Sequence, residues 1–202
     1  MTDIIDQLAS IAPGSRLDVL RRRRPDAREH AQRTYEALFV PSFELPGQAS
    51  GTSLGRGVSD VGLEEVTQAE RHAVAAFVAG LHRQEAAAAL YAAPLDPDLA
   101  KRIHVQAEAA RTAGPYGRYR EPELAHESVE GPRYRAEGID GRLAAALEHA
   151  HLLVFRPREA SPEALAELRD AGWSITGIVT LSQLVAFLIY QVRVVTALGA
   201  LA

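Results

Sequence analysis

A chain of 202 residues, 47% of them apolar, is long enough to bury a sizeable core in one or two compact units. Its formal net charge of −4 and pI near 6.0 supply no global basic field of the kind that draws nucleic acid. It has no cysteine, which excludes disulfides, thiolate metal sites and every cysteine nucleophile or redox couple, and fits a reducing cytoplasm.

The N-terminal stretch MTDIIDQLASIAPGS has no cationic start before a long apolar run, so no signal peptide is expected. Rich in Ala, Leu, Arg and Glu and poor in alternating β-branched runs, the chain reads as all-α. A short helix is predicted over Ile4–Ile11, stopping at Pro13-Gly14. A second starts at the N-cap Ser15 and is broken or restarted at Pro25, after the run Arg21-Arg22-Arg23-Arg24. That run reads as a solvated helix end. Asp26–Phe39 continues with Tyr35, Leu38 and Phe39 on one side. Residues 1–40 thus form an N-terminal helical extension, 41–63 a Gly, Ser and Pro-rich loop, and 64–202 the main helical domain.

Within that domain, residues 67–79 and 83–92 form a helical pair. Asp96-Pro97 opens a helix that runs to about Thr112. Residues 113–138 are irregular and interleave Arg118, Tyr119, Arg120, Arg133, Tyr134 and Arg135 with diluting glutamates. Such a segment suits anions, nucleic acid or, as the favoured reading, a subunit contact. Asp140 caps a helix through Phe155, Ser161-Pro162-Glu163 starts a short one that stops at Gly172, and Ser174 caps the last. The apolar run Ile178–Tyr190 falls short of the roughly 20 residues that a span needs, and Gln191 and Arg193 follow it. It reads as a helix buried nearly all round, in a core or a subunit interface, with no membrane crossing.

The layout of residues 67–95 resembles the core of the alkylhydroperoxidase D / carboxymuconolactone decarboxylase superfamily, as does the pattern of 140–201. Glu70 matches the family glutamate. The two thiol positions of the peroxidase branch fall on His82 and Glu85, and its relay histidines on Gln84 and Ala89. Thiol peroxidase activity is therefore not expected. The resemblance points to the cysteine-free "CMD domain protein" group and implies an AhpD-like helical bundle assembled as a homo-oligomer: dimer, trimer or hexamer.

On one straight helix Glu70 and His82 would lie about 18 Å apart. A sharp break between Ala79 and Arg83, to which Gly80 is suited, would fold the second helix back on the first. His82 and Glu85 would then share a face, with the imidazole pKa raised by the carboxylate. Glu70, His82 and Glu85 are the candidate catalytic trio, and Arg83, Arg193 and Tyr190 the candidate substrate contacts. The structural alternatives stay open: Thr67-x-x-Glu70 is a capping-box pattern, and His82 with Glu85 is equally a solvated or interface pair. His149-x-His151 has the wrong helical spacing for a two-histidine metal site. No flavin, haem, nucleotide or metal signature is present, so no cofactor is expected. Two functions follow: a non-thiol lyase or isomerase acting on a small oxygenated metabolite by acid–base chemistry, or a catalytically inactive oligomeric scaffold or partner subunit.

Overall fold

Helix caps written into the sequence fix most element starts. In the computed structural model, which describes residues 3–40 and 65–201, Asp3, Ser15, Thr67, Asp96, Asp140, Ser161 and Ser174 each accept a hydrogen bond from a backbone N–H of the turn they open. The helices are α1 (Ile4–Leu8), α2 (Arg16–Arg21), α3 (Pro25–Phe39), α4 (Gln68–Leu81), α5 (Glu85–Ala92), α6 (Pro97–Ala110), α7 (Gly141–Phe155), α8 (Pro162–Asp170) and α9 (Ile175–Gly199). Short 3₁₀ turns cover Pro122–Glu127 and Pro157–Glu159. Among the described residues there is no strand, only an isolated bridge between Gly117 and Val129. The chain is all-α over these residues. The loop expected at 41–63 lies outside them.

Several boundaries differ from expectation: α4 runs on to Leu81 and α5 starts at Glu85, where ends at 79 and 83 were expected. α1 ends at Leu8, because Ser10 turns the chain with φ +52° before Ile11. α6 stops at Ala110, and Arg111 is already extended.

The centre of the fold is α4. Its run AVAAFVAGL is buried on every side, with Ala73, Val74, Ala75, Phe77, Val78 and Ala79 fully enclosed. Small side chains let α5, α6, α7 and α9 close in around one axis. Leu147 of α7 and Leu181, Leu184 and Leu188 of α9 interlock with it at zero exposure. Each such leucine contributes roughly 1.5–3 kcal/mol of burial free energy. The helix buried all round is therefore α4. The last helix, expected to be so, instead keeps an outer face open: Ile175, Val179 and Tyr190 are exposed.

The N-terminal helices share this core. Ile5 and Phe39 are buried in it, and the Phe39 ring lies 4.8 Å from that of Tyr91 and 5.2 Å from that of His72. Arg71, fully buried, donates from Nε to the Val66 carbonyl at 2.9 Å and from a terminal nitrogen to the Leu38 carbonyl at 3.1 Å. It thereby satisfies a carbonyl in the last turn of α3. Three of the four arginines of the run are exposed, as expected of a solvated helix end, while Arg21 is spent internally. Arg21 binds the buried carboxylates of Asp3 (2.6 Å) and Asp6 (2.5 Å), while Arg22 binds Asp18 (2.8 Å). Arg28 joins all three aspartates from α3.

Candidate functional site

α4 carries a candidate residue at each end. At its N-terminus Glu70 closes a complete capping box: one carboxylate oxygen accepts from the Thr67 N–H at 2.9 Å, and the Thr67 hydroxyl accepts from the Glu70 N–H at 3.2 Å. The other oxygen accepts from Nε of Arg142 at 2.6 Å. Arg142 in turn reaches the carbonyls of Gly172 and Glu65 and lies 4.1 Å above the Trp173 ring. Glu70 is thus held by a structural clamp that joins α4, α7 and the turn before α9.

At the other end the helix breaks where the sequence placed the break, but on a different residue. His82 is the C-cap. The Arg83 N–H donates to the Gly80 carbonyl and the Gln84 N–H to that of Ala79, both at 3.0 Å, which is a Schellman ending. The left-handed residue is Arg83, with φ +58°, not Gly80. Gly80 stays helical, and its missing Cβ serves packing: a Cβ there would lie 2.7 Å from that of Ala107 on α6. The turn is braced by Arg111, whose Nε donates to the Gly80 carbonyl at 2.8 Å, and by Gln84, which donates to Thr196 of α9 at 2.6 Å.

α5 does fold back along α4, and this sets Tyr91 near His72, with ring centroids 6.3 Å apart. It leaves Glu70 and His82 at opposite ends of α4, about 18 Å apart along its axis. The trio is therefore divided. His82, Arg83 and Glu85 cluster at the turn, with Arg193 close enough to act on His82 electrostatically. Tyr190 lies one turn before Arg193 on the outer face of α9 and is 44% exposed.

Within the cluster the partnership differs from the one expected. Glu85 is largely exposed and pairs with Arg111 at 3.4 Å. His82 Nε2 is buried without a hydrogen-bond partner. Burial, and after it the positive charge of Arg193, pull the His82 pKa down rather than up. Both effects favour the neutral imidazole. Glu85 and Arg111 edge a cavity of about 250 Å³ between α4, α5 and α6, whose other walls are small residues such as Ala76, Gly80, Ala88 and Ala107. His82, Glu70 and Arg193 do not line it.

The more polar cavities lie elsewhere. One of about 540 Å³ opens between α7, α8 and residues 133–135 and is bordered by His149, His151 and Arg156. The two histidines diverge as their spacing requires: Nε2 of His149 meets the Ser182 hydroxyl at 3.1 Å, and Nε2 of His151 meets the Ala110 carbonyl at 3.1 Å. Burial holds His149 down at about 4 and lowers His151. Arg156, which sequence reading passed over, is buried at the C-cap of α7. The signal for it was an arginine wedged between an apolar helix end and Pro157.

These features define a cysteine-free protein, all-α over the described residues, built around one enclosed helix, with polar groups at the two ends of that helix and a second polar region beside α7. No known family profile matches the chain. No curated protein sequence matches it.

Proposed function

We propose that this chain is a self-assembling helical subunit, a cysteine-free relative of the alkylhydroperoxidase D / carboxymuconolactone decarboxylase superfamily that acts as a scaffold or partner rather than as a thiol enzyme. The observation that carries this reading is the outer face of α9. Ile175, Val179, Gln183, Ala186, Tyr190, Arg193 and Ala197 are all exposed, and they recur at steps of four or three residues. Arg193 is the single charged residue in the whole helix. A helix face meant for water carries charges; this one carries the seam of a helix pair. The stripe is nearly symmetric about Ala186. In an antiparallel pair Ile175 faces Ala197, Val179 faces Arg193, and the small central alanine lets the two backbones close in. A second copy of the chain is thus the fitting occupant, through an isologous contact.

α9 is also the one described helix long and apolar enough to cross a membrane, but 56% of its most apolar stretch is buried against the other helices, as in a core helix. Sedimentation velocity from micromolar to millimolar concentration tests the reading. A dimer or larger assembly is expected, reduced to a monomer of unchanged circular dichroism by Ala186→Glu. A parent chain that remains monomeric throughout sinks it.

One observation favours the second reading, an acid–base lyase or isomerase. His82 is a half-buried imidazole whose enclosed Nε2 has no hydrogen-bond partner, and Arg193 stands close enough to hold a substrate carboxylate. Solvent deuterium incorporation into small keto or unsaturated acids, lost in His82→Gln, would bear it out. No exchange above the buffer rate in the parent would remove it.

A further inference from the structure

Beside the end of α7, residues 117–120 and 130–133 fold against the turn at 156–159 and enclose a cleft of about 540 Å³. Its walls are set by two close approaches. Gly117, at φ +112°, donates to the Val129 carbonyl at 2.8 Å, and a Cβ there would press on Arg158 at 3.1 Å. A Cβ on Gly131 would fall 2.2 Å from the Tyr116 ring, and Tyr116 is itself tied by its N–H to the Phe155 carbonyl at 2.6 Å. The segment is a fitted wall, and its shape exists before any ligand arrives.

Five arginines line this cleft, Arg118, Arg120, Arg133, Arg156 and Arg158, against two carboxylates, Glu130 and Glu159. Arg118 and Glu130 neutralise each other at 2.8 Å on the exposed rim. Glu159 is shared: Arg156 binds it from below and Arg133 approaches it at 3.7 Å. Arg158 has no carboxylate partner among the described residues; it lies 3.9 Å over the Tyr119 ring and donates to its hydroxyl. Arg120 has no ion-pair partner among the described residues. The glutamates on the adjoining 3₁₀ turn, Glu123 and Glu127, do not border the cleft.

Arg156 is the decisive member. It is only 5% exposed, its Nε has no hydrogen-bond partner, and its one carboxylate is divided with a second arginine. A guanidinium taken from water needs a full counter-charge and an acceptor for each donor. Burial and the like charge of Arg133 both disfavour its charged form, so the missing ingredient is negative.

We propose that this cleft binds a phosphate group, free or carried by a small molecule, with Arg133, Arg156 and Arg158 as its guanidinium donors. A doubly charged tetrahedral anion supplies what the shared Glu159 does not: charge for two further cations and several acceptor oxygens in different directions. The cleft has the volume of a small-molecule site, with room for an organic portion beside the phosphate.

Isothermal titration calorimetry on the full chain tests this, with inorganic phosphate and glycerol 3-phosphate as separate probes and ionic strength held constant with chloride. Saturable binding of at least one probe is expected. Arg158→Gln, which leaves the buried Arg156–Glu159 pair intact, should weaken it about tenfold or more. Arg169→Gln on α8, an arginine outside the cleft, should not change it. Equal affinity for both probes means the bare group is recognised; tighter binding of glycerol 3-phosphate means the organic portion is read as well. Absence of saturable heat for both probes up to about 10 mM, or an Arg158→Gln protein of well-matched circular dichroism that binds like the parent, overturns the proposal.

Discussion

The Tyr91 hydroxyl, near the end of α5, donates to Oε1 of Gln191 in α9 at 2.7 Å, with both side chains at zero exposure. Burial raises the phenol pKa, which keeps the hydroxyl a donor. Gln191 has no second partner, since its Nε2 is buried and unbonded. It is thus the buried polar link between α5 and α9, the Gln84–Thr196 bond lying in the exposed turn before α5. Removing the hydroxyl in Tyr91→Phe strands the whole Gln191 amide and should cost about 1–3 kcal/mol. The double variant Tyr91→Phe/Gln191→Leu should recover most of that loss, because two apolar groups leave nothing unsatisfied. Urea unfolding of the four proteins measures the coupling. Losses that simply add would mean the bond is not what joins the two helices.

Glu70 and Glu85 are opposites in what they do for the fold. Glu70 completes a capping box and anchors Arg142, so Glu70→Ala should lower unfolding free energy by about 1–2 kcal/mol. Glu85 has a side chain 71% exposed and a loose contact with Arg111 at 3.4 Å. Its replacement by alanine should stay within about 0.5 kcal/mol of the parent. Matched denaturant curves decide the order. A neutral Glu70→Ala beside a costly Glu85→Ala would reverse the assignment of cap and free carboxylate.

The helical architecture was legible because its signals are local. Asp96, Asp140, Ser161 and Ser174 cap the helices they were expected to open, and each does so with its own side-chain oxygen. The capping box at Thr67 and Glu70 was readable for the same reason, from a four-residue pattern. What the sequence hid depends on neighbours far along the chain. Gly80 looked like the hinge because glycine tolerates positive φ, whereas Ala107, across the core, needs its missing side chain. Arg83 bears the strained conformation instead, which no propensity scale foretells for an arginine. The neighbour that sets the charge environment of His82 is Arg193, more than a hundred positions on, and not the adjacent Glu85. Arg156 carried only the local cue of its place between an apolar helix end and Pro157, and its role emerges only where residues 117–120 and 130–133 meet it.

Acid should destabilise this protein well above the usual carboxylate range. His149 is buried, with Nδ1 unbonded and Nε2 on Ser182, and burial lowers its pKa from 6.5 to about 4. His72, His82 and His151 shift in the same direction, chiefly through burial. The unfolded chain then binds protons that the native chain refuses. The stabilisation is full above the unfolded pKa and is lost as pH falls from about 6.5 through about 4. His149 alone accounts for roughly 3 kcal/mol of that loss. Unfolding free energies between about pH 7 and pH 4 should fall steadily for the parent, and His149→Leu should flatten the slope. An unchanged slope would show that His149 titrates as if it were exposed.

Gly80→Ala sets two local effects against each other. Inside a helix alanine is favoured over glycine by about 1 kcal/mol. At this position, however, the new methyl group would begin 2.7 Å from the Cβ of Ala107, a distance that real Cβ atoms do not hold, and neither partner has a flexible end to swing aside. α4 and α6 must separate, and overpacking of a close helix contact costs about 1–3 kcal/mol. The carbonyl of Gly80 also accepts from Arg111 at 2.8 Å, so that separation strains the brace on the α4–α5 turn. The overlap outweighs the propensity, and the substitution should destabilise. Adding Ala107→Gly restores the space and should return part of the loss, leaving the double variant more stable than Gly80→Ala alone. A Gly80→Ala protein more stable than the parent in urea would mean that the two helices are not in contact at this point.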